Sequence, residues 1–341
     1  MRLNPHLAAM PGGYLFAEIA RRVQAYEPRA PRPIIRLGIG DVTQPLAPAI
    51  TRALAQAAEE MGTAQGFHGY PPDQGYAFLR QAIIDADYAP LGVALELDEV
   101  FVSDGAKTDT SALPELLAAD ARIAVTDPVY PAYVDANAMA GRLGDYVNGG
   151  WSRLLTLPCR ADNGFVPELP TEPVDMLYLC YPNNPTGTVL TREQLARFVD
   201  YALRTETLIL FDAAYKAYIT DPAIPRSIYE IPGADRVAVE CCSFSKSAGF
   251  TGTRCAYTII PKALTARLDG RAVSLNALWA RRVACRQNGV SYPIQRAAAA
   301  ALSAEGQAQV AAQVQAYIDN AHHIVAALQG AGLEVFGGVH A

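Results

Sequence analysis

Lys246 stands among small hydroxyl residues in the stretch Ser243-Phe244-Ser245-Lys246-Ser247-Ala248-Gly249-Phe250-Thr251-Gly252-Thr253-Arg254, with an arginine eight positions on. The valine-rich run before it, residues 236–242, reads as a buried strand. A lysine at the end of such a strand is costly unless it is neutral or covalently used. Ser243, Ser245 and Arg254 around it form a cradle suited to phosphate. An amine able to form an imine beside a phosphate site is the chemistry of pyridoxal phosphate.

Other strand ends offer groups that suit the same molecule. Asp104-Gly105-Ala106-Lys107 opens a helix whose free N–H groups and dipole favour an anion. Ala106 supplies backbone there; Lys107 either adds charge or is a solvated helix-start lysine. Tyr130, between Pro128 and Pro131, either stacks on a flat ring or packs in the core. Asn184 in Tyr181-Pro182-Asn183-Asn184-Pro185-Thr186-Gly187 sits in a turn, cis at Pro185 on one reading, that aims its amide. Asp212, at the end of the run 207–211, would face a pyridine nitrogen and keep it protonated. Tyr215 would share the ring hydroxyl with Asn184. Lys246, Asp212 and Tyr215 are therefore the expected catalytic residues.

These residues need a scaffold that brings them to one edge. Runs at 100–103, 122–126, 176–180, 207–211, 236–242 and 255–260 read as strands, with helical patterns between several of them. Such alternation predicts a largely parallel sheet with right-handed crossovers, and ligands beyond the carboxyl ends of its strands. Thr191 and Gln194 have capping-box spacing before a helix burying Leu195, Phe198, Val199 and Ala202. Helices are expected at 17–26, 48–61 and 76–85 and from Thr108, with one or two long ones over 297–329. Residues 34–41 read as a strand ending in a glycine turn without a GxGxxG fingerprint.

The motifs SDGAK, DPVYPAYVD, YPNNPTGTVLT, DAAY and SFSKSAGFTGTR, in this order, resemble those of the fold-type I pyridoxal-phosphate aminotransferases. LGIGD (37–41), GYPPDQGY (69–76), SLNALW (274–279) and FGGV (336–339) narrow the resemblance to a branch acting on the diamino diacid LL-2,6-diaminopimelate. The family implies an α/β fold: a large domain with a mainly parallel seven-stranded sheet flanked by helices, plus a smaller α+β domain. It implies an arm over residues 1–35, the large domain over 36–284 and the start of the small domain over 285–341. Lys246 would carry pyridoxal 5'-phosphate, Asp212 face the ring nitrogen, Asn184 and Tyr215 hold the ring hydroxyl, and Tyr130 stack. Ala106, Lys107, Ser243, Ser245 and Arg254 would serve the phosphate side. Tyr14 and Gly40 match substrate-contact positions, which Lys107, Tyr130 and Asn184 would join. Tyr70 and Asn288 match positions that reach the cofactor and substrate of a partner subunit, implying a homodimer with shared sites. Other fold-type I activities, an aspartate or aromatic aminotransferase or a C–S lyase, are the nearest alternatives. A non-catalytic aminotransferase-like domain is a further one.

The 341 residues include 51% hydrophobic and 18% charged side chains with a net charge of −6. That composition fits a globular chain and argues against nucleic acid as the default partner. Six cysteines show no metal-ligand spacing, and a reducing cytoplasm is expected. No apolar run reaches spanning length. Leu333-Glu334-Val335-Phe336 reads as a strand opening close to the last residue. The expectation is therefore an incomplete small domain, lacking the family's carboxylate-clamping arginine and turning over poorly.

Overall fold

The computed structural model describes residues 1–36 and 40–341. Seven strands make the central sheet: β1 (Val100–Ser103), β2 (Ile123–Asp127), β3 (Leu154–Pro158), β4 (Met176–Cys180), β5 (Leu208–Asp212), β6 (Ala238–Ser243) and β7 (Ala256–Ile259). Their order is β1-β7-β6-β5-β4-β2-β3. Only β7 runs against the rest, pairing antiparallel with both β1 and β6. Both faces of the sheet are covered, so its strands are apolar on both sides rather than alternating with polar residues. Along β4, Leu177 and Leu179 enter one core while Met176, Tyr178 and Cys180 enter the other. Apolar β-branched and aromatic composition made these strands readable.

β3 escaped the sequence reading. It pairs only with β2, and of its side chains only Leu157 is buried. Its sequence, Leu-Leu-Thr-Leu-Pro, has neither valine, isoleucine nor an aromatic residue and ends in proline, so its strand signature is weak.

The helices follow their punctuation. The helix Arg192–Thr205 starts at a reciprocal capping box. Gln194 N–H donates to Thr191 Oγ1 (3.2 Å), and Thr191 N–H donates to Gln194 Oε1 (2.8 Å). Leu195, Phe198, Val199, Tyr201 and Ala202 are its buried face. The helix after β1 begins at Ala106, two residues earlier than its composition suggested. The long C-terminal helical pattern is two helices, Tyr292–Ala301 and Ala304–Gly330. Ser303 caps the second by accepting from Gly306 N–H at 3.1 Å. Gly306 itself lies against the first helix, where an added Cβ would collide with the Ala300 carbonyl oxygen.

Successive turns of Ala304–Gly330 hold one segment of chain. Gln309 Oε1 accepts from Ala49 N–H (2.9 Å), Gln313 Nε2 donates to the Pro45 carbonyl (2.8 Å), and Tyr317 Oη accepts from Thr43 and Gln44 N–H (2.8 Å each). These three side chains share a helix face through i, i+4 spacing.

Two expectations need correction or limits. Leu333–Phe336 is not a strand. Among the described residues no strand pairs with it, and the chain instead turns through Gly337 onto Thr186 and Gly187, where a Cβ at Gly337 would collide with the Thr186 carbonyl oxygen. His340 carbonyl then accepts from Thr220 N–H at 2.9 Å. The strand expected over 34–41 includes residues 37–39, which lie outside the described residues; 34–36 and 40–41 have no strand geometry. Five of the six cysteines are buried thiols, and Cys285 is exposed.

Asp109 ties the helix Ala106–Ala112 to the sheet. It is buried, and its Oδ2 accepts from Ser103 Oγ on β1 (2.6 Å) and Thr258 Oγ1 on β7 (2.7 Å). Burial pushes its carboxyl up to about 7, against the two hydroxyl donors. A carboxyl raised in the fold stabilises it fully below its unfolded value of 3.8 and loses that contribution as pH rises through about 7. We expect the melting temperature to fall from about pH 5 to about pH 8 by about 2 °C or more relative to Asp109→Asn, which cannot ionise. Parallel slopes for the two proteins would contradict this.

Candidate active site

The carboxyl ends of β2, β4, β5 and β6 meet the start of β7 along one edge of the sheet. Register fixes this: Cys180 pairs with Asp212, Asp212 with Cys241, and Ser243 with Ala256. A cavity of about 380 Å³ opens there. It is lined by Tyr14, Gly40, Ala106, Lys107, Tyr130, Asn184, Asp212, Tyr215, Ser243, Ser245, Lys246 and Arg254. These are the sequence-derived site residues with two exceptions. Tyr70 and Asn288 are exposed and do not line it; Tyr70 retains 87% of its accessible surface.

Lys246 sits in the single helical turn Phe244–Ser247 directly after β6. Its Nζ donates to the Gly40 carbonyl, and its own carbonyl accepts from Tyr218 Oη at 2.9 Å. Burial holds its ammonium below the usual lysine range; Asp41 opposes this and Arg254 adds to it. The amine is thus closer to its neutral, nucleophilic form at neutral pH.

Asp212 is buried at the end of β5. Tyr133 Oη donates to its Oδ2 at 2.6 Å and Ala214 N–H to its Oδ1 at 3.0 Å. Burial pushes its carboxyl up, and these two donors pull it back. Tyr133 was not picked out from the sequence. Its signal was there in the spacing: Tyr130 and Tyr133 lie three apart at the start of the helix Pro131–Met139, so both turn toward the same side. The rings of Tyr130 and Tyr133 meet edge to face at 5.5 Å, and Tyr133 stacks on Tyr178 at 4.6 Å.

Asn184 follows β4 in a turn whose Asn184–Pro185 bond is cis. Its Nδ2 donates to Tyr215 Oη at 3.2 Å, so the two polar groups converge as the sequence suggested. Burial pushes the Tyr215 phenol up, and the charge of Asp212 contributes. Tyr218, also missed, repeats the three-residue spacing after Tyr215.

At the other end of the cavity, Arg254 Nη1 donates to Ser245 Oγ at 3.4 Å. Ser243 Oγ accepts from Ser245 N–H at 3.1 Å and caps the turn bearing Lys246. The guanidinium lies over Gly105, where a Cβ would collide with Nη2. Arg254 holds a left-handed backbone, φ +62°, which costs a non-glycine residue about 1–2 kcal/mol. Strain of this kind collects at ligand clamps. Ala106 and Lys107, whose first-turn amides precede the first intrahelical bond, line the same corner. Lys107 Nζ donates to Tyr14 Oη at 3.0 Å and lies 4.4 Å from its ring centroid, which brings the N-terminal arm to the cavity mouth.

A second space of about 480 Å³ shares Gly40, Asn184, Tyr215 and Lys246 with the first and extends to Tyr317 and His322 on the helix Ala304–Gly330. The arrangement therefore joins a nucleophilic amine, a buried acid, a pair of aligned polar donors and an anion corner, with adjoining room for a larger molecule.

Comparison with known proteins agrees with this geometry. The chain is 53% identical over its whole length to an LL-diaminopimelate aminotransferase of Desulfosudis oleivorans, spanning 84% of that protein. It is also 53% identical over 99% of its length to one of Parabacteroides distasonis, spanning 83% of it. Among solved structures, the L,L-diaminopimelate aminotransferase of Chlamydomonas reinhardtii superposes with a TM-score of 0.94 at 39% identity. That match covers 100% of this chain and 83% of the other. A Thermus thermophilus aspartate aminotransferase variant shares the fold alone, with a TM-score of 0.82 at 20% identity over 99% of this chain and 83% of its own. The family profile for class I and II aminotransferases matches residues 32–341. The chain belongs to the class I and II aminotransferases, enzymes of the fold-type I architecture its sheet displays.

Proposed function

We propose that the chain is a pyridoxal 5'-phosphate-dependent aminotransferase acting between LL-2,6-diaminopimelate and 2-oxoglutarate. Its products are glutamate and an amino-oxo diacid that closes to tetrahydrodipicolinate with loss of water, and the reverse direction serves lysine biosynthesis. The observation that carries this is the convergence of Lys246, Asp212, the Asn184–Tyr215 pair and Arg254 on one cavity. Identity of 52–53% to several LL-diaminopimelate aminotransferases supports the substrate pair.

The residues fit the coenzyme. A cavity of about 380 Å³ lies in the range, about 300–1,000 Å³, that encloses small ligands. Asp212 is a buried acid without a cationic partner among the described residues, and a protonated ring nitrogen would supply one. The anion corner of Arg254, Ser243, Ser245 and the Ala106 and Lys107 amides would hold the phosphate. Asn184 and Tyr215 would hold the ring hydroxyl, and Tyr130 would cover the ring. When bound, the coenzyme supplies an aldehyde and an electron-accepting ring.

The residues supply capture, orientation and proton movement. The lowered proton affinity of Lys246 would favour attack on a carbonyl, and its amine, when free, would accept and return a proton at Nζ. Gly40, which accepts from that amine, and Tyr14, Lys107, Tyr130 and Asn184 would orient the amino acid. Tyr70 and Asn288 would complete the partner subunit's site in a cytoplasmic homodimer. Their exposure away from their own cavity supports that reading.

Protein loaded with the coenzyme should show its visible absorption band and a borohydride-fixed adduct at Lys246. LL-2,6-diaminopimelate should shift that band at a concentration about 10-fold or more below that required of aspartate. Equal or inverted preference would overturn the substrate assignment. Lys246→Ala should lose the adduct and about 10³-fold or more of the rate. Tyr133→Phe removes a donor from a buried carboxylate and should lower stability to urea by about 1–3 kcal/mol; an unchanged unfolding midpoint would show that Asp212 does not depend on it.

A further inference from the structure

The loop after β5 carries Tyr215 into the site beside Asp212, and the next side chain, Lys216, is absent from that cavity's lining. Lys216 lines a separate groove of about 530 Å³ behind the loop. Its Nζ donates to Tyr257 Oη at 2.7 Å and pairs with Asp87 Oδ2 at 3.1 Å. Tyr257 Oη also donates to Asp87. The ammonium lies 4.9 Å from the ring centroid of Tyr88 and 5.3 Å from that of Tyr257, a desolvated cation–π setting. Only 16% of the Lys216 side chain is exposed.

The neighbouring groups are equally committed. Glu240 on β6 is fully buried and accepts from Tyr88 Oη (2.7 Å), Ser227 Oγ (2.7 Å), Ile228 N–H (2.9 Å) and Cys242 Sγ (3.4 Å). Tyr88 and Asp87 come from the widened helical turn Ile84–Tyr88, whose bonds follow the π pattern. Such turns are rare and recur near functional sites. Burial disfavours the Lys216 charge, and Asp87, Cys242 and Glu240 more than offset it, so the side chain stays an ammonium.

We propose that Lys216 is a positioning residue: its ion pair with Asp87 and hydrogen bond with Tyr257 hold the loop that presents Tyr215, and through Tyr218 the turn that presents Lys246. The geometry is short and direct. Lys216 opens the turn Lys216–Tyr218, with Tyr215 immediately before it. Tyr218, at the other end of that turn, donates to the Lys246 carbonyl at 2.9 Å. Tyr215 on the site side receives the Asn184 amide at 3.2 Å. One three-residue turn is thus fixed behind the site by a buried cation and fastened in front to the backbone of the nucleophile. Tyr257 extends the hold to β7, three residues after Arg254.

This inference rests on the coenzyme reading above, and the test separates the two. Removing Lys216 alone leaves Asp87 partly buried without its cation, so the informative variant is Lys216→Met with Asp87→Asn. The amide introduced by the second change cannot ionise and still accepts from Tyr257. We expect the double variant to fold and bind the coenzyme. The pH midpoint of its visible absorption change should move by about 0.5 unit or more. The rate of band loss with amino acid should fall about 10-fold or more. Should the double variant not fold, Tyr257→Phe, which deletes one hydroxyl, carries the same measurement. An unchanged absorption midpoint with only a lowered melting temperature would overturn the proposal and leave Lys216 a stabilising residue. Absence of any visible band in the unaltered protein would overturn the coenzyme reading, and this inference with it.

Discussion

A carboxylate withdrawn from water is the constraint around which this site is built. Asp212 ends a central strand with sheet on both sides, so its solvation must come from protein. Desolvation of a charged carboxylate costs several kcal/mol unless donors or a cation offset it. Two donors do part of this, Tyr133 Oη and Ala214 N–H. Tyr133 is held in turn by stacking on Tyr178, whose hydroxyl donates to the Thr110 carbonyl at 3.1 Å and accepts from Asn137 Nδ2 at 3.0 Å. The phenols under the sheet edge are thus held in sequence, although Asn137 Oδ1 stays buried without a partner, and the remaining demand of Asp212 is for positive charge.

Three further acids flank that centre and solve the same problem differently. Asp109 relies on two hydroxyl donors and is pushed toward its neutral form. Asp87, only partly buried, is charge-paired with Lys216. Glu240 gathers four donors. Breaking any one of these leaves an uncompensated polar group in a low-dielectric interior, where its cost is largest. Each reaches the cavity lining through the chain itself: Asp109 shares a helix with Ala106 and Lys107, Asp87 pairs with the residue after Tyr215, and Glu240 lies on the strand that ends at Ser243.

Much of this was legible in the chain because the signals are local. β4, β5 and β6 are short apolar runs, and the residue following each run is placed at the sheet edge by strand geometry alone. Asn184, Asp212, Ser243, Ser245 and Lys246 could be located that way, and Arg254 by its distance from Lys246. The Thr191–Gln194 cap was equally plain. What stayed hidden depends on partners far apart in sequence: Lys216 meets Tyr257 forty-one residues on, and Tyr257 meets Asp87 across 170. No spacing rule announces such contacts. Leu333–Phe336 misled for the opposite reason: its local composition suits a strand, but a strand exists only beside another.

The backbone of Arg254 sets a limit on how far this protein can be optimised. Its torsion belongs to a region where glycine or asparagine would relax, and either exchange would be favoured by anyone seeking heat resistance. Neither carries a guanidinium. Under the proposed role of Arg254, robustness and anion capture would compete at this single position, where the chain carries the strained residue.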